Sequence, residues 1–187
     1  MADFPSFDRA AREDIARQIA RRFADQLPPR VPATLLEAIP IDRLDLQKLN
    51  ISGQRLRDAL VRSDRWHHQI RLGARKFGFA RAVAHEERWL IVELALGAFA
   101  TRVARTIAYL DEARVSEGAA SLLLVPEQGV AAIAIVTHDT DLVSVIDRPA
   151  RLRKLPTCRP VDGQVFLSCL TQFPNRGAMP AGSLQSG

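Results

Sequence analysis

The chain of 187 residues carries 26 Lys and Arg against 21 Asp and Glu, a formal net charge of +5, and is 47% hydrophobic and 25% charged. That length supports one sizeable core, and that apolar fraction excludes wholesale disorder. Two cysteines, Cys158 and Cys169, exclude a disulfide framework and suit a reducing compartment. The positive charge admits a nucleic-acid or acidic partner without demanding one.

The N-terminal stretch MADFPSFDRAARED has no basic segment followed by an apolar core, so no secretory leader is expected. The longest apolar run, 89–100, contains Glu93 and falls short of the roughly 20 residues that a bilayer-crossing helix needs. The expectation is a soluble protein of the bacterial cytoplasm with no membrane partner.

Residues 7–27 predict an amphipathic helix that fills an N-terminal unit, 1–30. Phe7, Ala11, Ile15, Ile19 and Phe23 recur every four residues and form a slowly drifting apolar stripe. Asp8, Glu13 and Asp14 lie early and Arg17, Arg21 and Arg22 late, which complements the helix dipole. Pro28, Pro29 and Pro32 end the helix. Residues 31–65 read as a linker followed by two short helices, 41–49 and 54–62. From Trp66 the period changes to two, giving strands at 66–72, 76–84 and from Trp89. Leu90, Val92, Leu94 and Leu96 share one strand face, and Phe99, Val103, Ile107 and Leu110 then form a helical stripe over about 98–113. Gly118 ends that helix.

The second half repeats the plan, with strands at 120–126, 130–137 and 142–147, a basic Pro-containing loop and a helix at 164–173. The tail, 174–187, is rich in Gly, Pro and Ser and is expected to be disordered. The fold class is therefore α+β, with a core domain over 66–173 preceded by N-terminal helices. Its two βββα units are expected to form a mixed or antiparallel sheet sandwich with helices on one face. Ala80, Ala82 and Leu90 match Ala132, Ala134 and Leu142 at one constant offset, the faint mark of a duplication. In element order alone the plan resembles the profilin-like group of small domains, including roadblock and GAF-type modules, an analogy at the level of fold.

The residues offer three kinds of candidate site. Leu49, Asn50, Ile51 and Ser52, followed by Leu56 and Leu60, resemble the turn and second helix of a helix-turn-helix DNA reader. Asn50 stands where glycine is usual, and Asp45 where an apolar support is usual. That resemblance implies Gln54, Arg55 and Arg57 facing a groove, with Arg62 and Arg65 near phosphates. A basic cluster runs through Arg55, Arg57, Arg62, Arg65, Arg71, Arg75, Lys76 and Arg81, with Trp66 or Phe77 available for stacking, and a second basic cluster comprises Arg148, Arg151, Arg153, Lys154 and Arg159. The other candidates are Glu93, an acid inside the most apolar strand, and His67, His68, His85 and His138, which an acid/base site would have to assemble in space. No sequence spacing indicates a catalytic residue, a metal or a cofactor, and ten residues between the cysteines do not suit zinc.

The expected function is a non-catalytic binding or regulatory module acting through protein–protein contact. Phe7, Ile15, Ile19 and Phe23 would bind a protein partner or a second copy. The alternatives are a nucleic-acid-binding regulator using 41–65 and a small enzyme built from Glu93 and histidines.

Overall fold

A computed structural model describes residues 9–23, 33–50, 55–74, 76–85, 88–113 and 118–172. It is α+β. The described elements run α1 (Arg9–Phe23), β1 (Ala33–Leu44), α2 (Leu56–Ala59), β2 (Leu60–Leu72), β3 (Lys76–His85), β4 (Arg88–Leu96), α3 (Ala98–Glu112), β5 (Ala119–Val125), β6 (Val130–Val136), β7 (Asp141–Asp147), β8 (Pro160–Asp162) and α4 (Gly163–Gln172). No helix among the described residues is long and apolar enough to cross a membrane.

The described strands form one mixed sheet in the order β4-β3-β2-β1-β5-β6-β7-β8. Every neighbouring pair is antiparallel except β1 and β5. Two meanders thus join side by side at a parallel seam, where Ile41, Asp42 and Arg43 face Leu122, Leu123 and Leu124. A parallel pair needs a crossover. Helix α3 supplies it, leaving the edge strand β4 and returning the chain to the middle of the sheet at β5.

Strand alternation gives the sheet two apolar faces. Leu122, Ile133, Ile135 and Ile146 pack with Ile41 against Val103 and Leu110 of α3. Their sequence neighbours Leu123, Ala132, Ala134 and Val145 turn to the other face and pack against Phe166, Leu167 and Leu170 of α4 and Leu56 of α2. Further along that second face, Ile15 and Ile19 of α1 pack on Ile70, Leu72, Ala80, Ala82, Trp89 and Ile91. Ala80 and Ala82 leave room there for the helix and for the two tryptophans, Trp66 and Trp89, which meet edge to face at 6.4 Å. Each buried isoleucine contributes about 1.5–3 kcal/mol. Helices therefore cover both faces of one sheet, in place of the expected sandwich with helices on one face.

The region 31–65 also departs from expectation. Ile41 to Leu44, expected to open a helix, complete β1, and only a short 3-10 turn, Leu46–Asn50, follows. The expected second helix is one turn long, after which Leu60 to Arg65 enter β2. Apolar spacing at Leu56 and Leu60 favours a helix locally, but backbone pairing of Leu60, Val61 and Arg62 with Leu44, Arg43 and Asp42 overrides it. Among the described residues no helix-turn-helix forms, and the supposed linker contains a central strand, β1. The matching halves of the sheet are β1–β4 and β5–β8, so each contains one strand more than the βββ units expected. The tail 174–187 lies outside the described residues.

Two glycines are required by the fold, one for its backbone angle and one for a close approach. Gly97, at φ +143°, turns the corner between β4 and α3. At Gly163, the start of α4, a Cβ would stand 2.9 Å from Cβ of Asp141 and 3.2 Å from Cβ of Leu56, so only glycine lets α4 approach β7 and α2 this closely.

A candidate binding cleft between α3 and the sheet

A cavity of about 690 Å³ lies between α3 and the sheet. Its strand wall is built from Leu36, Ala38 and Ile39 of β1, Gln69 and Arg71 of β2, Phe77 of β3 and Ala120 of β5, with Ile133 and Ile135 of β6. Its helix wall is Ala104, Ile107, Ala108, Leu110 and Asp111. The opening has a cause in side-chain size. Val103 and Leu110 reach the sheet and are buried, but on the neighbouring stripe Ala104 and Ala108, one turn apart, do not fill the gap. Ala38 and Ala120 leave the facing strands equally low. In addition, β1 slips register between Leu35 and Ala38, a bulge that re-aims the side chains next to the cleft.

Below the cleft is a buried polar chain. The amide of Gln69 donates from Nε2 to the carbonyl of Ala100 at 2.8 Å, which tethers the first turn of α3 to β2. Its Oε1 thereby faces Nε2 of His67 at 3.1 Å, so that nitrogen carries the ring hydrogen and donates it. Nδ1 of His67 has no hydrogen-bond partner among the described residues. The ring stacks on Phe79 with centroids 5.3 Å apart and meets the edge of Phe99. Burial pushes the His67 pKa down to about 4, against the pull of the Gln69 bond and helped by the charge of Arg81. His68 points to the opposite face and is also lowered to about 4, chiefly by burial, then by His67 and Arg12. Both rings are neutral near pH 7.

Glu93 does not meet a histidine. It pairs with Arg81 at 2.7 Å, on the neighbouring strand, and Arg81 in turn lies over the Phe79 ring at 5.2 Å. His138 is exposed beside Asp139, and His85 is exposed at the end of β3. The structure thus scatters the proposed acid/base set over both faces and the turns. Among the described residues no group of three His, Cys, Asp or Glu could hold a metal ion.

Three of the five residues proposed for nucleic acid are engaged within the chain. Arg55 bonds Asp141 through Nη2 at 3.1 Å and the carbonyl of His138 through Nη1 at 2.7 Å. Arg57 donates to the carbonyls of Thr137 and His138, and its backbone N–H reaches Asp141 at 3.4 Å. Arg62 pairs with the buried Asp42 at 2.6 Å. Arg65 is exposed, and Gln54 lies outside the described residues. In the second basic cluster, Arg148 bonds the carbonyls of Leu155 and Arg153, and Arg151 bonds Gln128. These arginines tie turns and strands of the same chain to one another.

Of the four residues expected to hold a partner, Ile15 and Ile19 are 0% and 2% exposed and cover this chain's own sheet. The apolar stripe is satisfied internally, so these two are core residues rather than a docking surface. Phe7 and the side chain of Phe23 lie outside the described residues. Of the cleft residues, Arg71 and Phe77 stood out from the sequence only as parts of a basic, stacking surface, and Ala104, Ala108 and Asp111 were not singled out. The pair of alanines beside the large stripe on one helix was the only trace of them. No family model, curated protein or solved structure matches the chain.

Proposed function

We propose that the chain is a non-catalytic binding module of the cytoplasm and that the cleft between α3 and the sheet is its site. The observation that supports this is an accessible apolar lining. Leu36, Ile39, Phe77 and Ile107 are only half-buried, around a volume within the roughly 300–1,000 Å³ usual for small-molecule sites. Gln69 pins the helix end of the cleft and pre-forms it. The test is titration with the neutral apolar dye Nile red. Saturable binding is expected for the native protein and loss of binding for Ala104→Trp, whose indole occupies the gap, with the circular dichroism spectrum retained. Equal binding by the filled variant would overturn the reading.

A second reading, contact with another copy of this chain, is favoured by the unequal sheet edges. Strand β8 is three residues long and begins with Pro160, a blunted edge. Strand β4 is nine residues long and leaves Leu90, Val92 and Leu96 at 43%, 51% and 42% exposure. Val92 is the extra residue of a bulge. Helix α1 covers only part of this edge, where Gln18 and Arg22 donate to the carbonyls of Trp89 and Ile91. Light scattering across a concentration series should show a dimer that Val92→Lys weakens. A monomer at every concentration would remove this reading.

A further inference from the structure

We infer that the cleft takes an amphipathic carboxylate, with its apolar chain between α3 and the strands and its carboxylate at Arg71. This inference rests on the cleft being a binding site. The lining carries two charges, Arg71 on the strand wall and Asp111 on the helix wall. Arg71 stands directly opposite Phe77 in the β2–β3 register, so guanidinium and ring share the cleft face near the end of the hairpin. Its exposed fork is suited to grip a carboxylate through two parallel N–H donors. Deeper in, Gln69 has its Oε1 and Nε2 committed to His67 and Ala100, and the remaining lining is apolar. A ligand charge therefore stays at the rim and its chain enters the apolar part. Asp111 sits in the last turn of α3, where the helix dipole adds to its negative charge. It repels an anion from the helix wall and fixes the head group at the β2 end.

The experiment is calorimetric titration of the full chain with dodecanoate, dodecanol and dodecylammonium, each below its micellar concentration. Dodecanoate is expected to bind most tightly, to weaken about tenfold in Arg71→Ala as a charge-assisted contact is lost, and to tighten in Asp111→Asn. Ala104→Trp is expected to abolish binding of both dodecanoate and dodecanol. Dodecanol binding that Ala104→Trp removes, with no preference for dodecanoate or no effect of Arg71→Ala, would overturn the carboxylate assignment and leave the cleft standing. Tighter binding of dodecylammonium would overturn it equally. Failure of both dodecanol and dodecanoate to bind would overturn the cleft itself.

Discussion

His67 and His68 set the acid limit of this protein. Their pKa values are lowered to about 4 by burial, below the ordinary 6.5, so between those values the unfolded chain binds more protons than the folded one. Stability is therefore full above about pH 6.5 and falls as pH drops toward 4, by about 3 kcal/mol per histidine at most. Urea denaturation midpoints across that window check this, and His67→Phe should flatten the slope. A flat profile, or an NMR titration of His67 near 6.5, would contradict it. Asp141 is a buried charge on which the fold depends, 5% exposed and holding both Arg55 and Arg57. Asp141→Ala should cost about 3 kcal/mol, because two guanidinium groups lose a buried counter-charge. Thermal unfolding of that variant is the measurement. Neither role was visible in the sequence. His67 and His68 drew notice as candidates for an acid/base site, and Arg55 and Arg57 as possible readers of DNA, because spacing along a chain does not say which carboxylate or ring lies across the sheet.

At the scale of elements, the strand face at 89–96 was misread, because Trp89 and Ile91 are buried, Leu90 and Val92 are exposed, and the bulge at Val92 puts Leu94 with the buried set, whereas the switch to helix at Gly97 and the helical stripe after it were legible. So were the core positions of α1. What covers that stripe was not legible, and it proves to be the sheet of the same chain. Ile15→Ala should therefore cost about 2–5 kcal/mol in equilibrium unfolding, the loss for a core residue. A surface contact for a separate partner would leave the isolated protein's stability unchanged. The region 41–65 misled because its leucine spacing is helical over short windows, while its true structure depends on partners far along the chain: β1 pairs with β2 and with β5, whose contacting residues lie at 122–124. Local pattern cannot report pairing at that distance. Gly163 offers a check on the second half. Gly163→Ala should destabilise by about 1–3 kcal/mol through overpacking against Asp141 and Leu56, read from the thermal midpoint.

The whole molecule is two meanders fused at a parallel seam, with one helix crossing the face they share. That geometry explains why a cleft exists. Helix α3 must reach from an edge strand to the sheet centre, and where its side chains shrink to Ala104 and Ala108 it cannot stay in contact throughout. The sequence carried the crossing helix and the two strand sets, but not the seam, because β1 was hidden in an apparent linker. The cleft was hidden with it, since its walls come from β1, β2, β3, α3, β5 and β6. The most direct test of the binding account is a two-dimensional NMR titration of the native chain with dodecanol. Saturable shifts are predicted for the amides of Ile39, Gln69, Phe77, Ala104 and Ile107, and their disappearance in Ala104→Trp. Shifts confined to other surfaces, or none at saturating ligand, would contradict it.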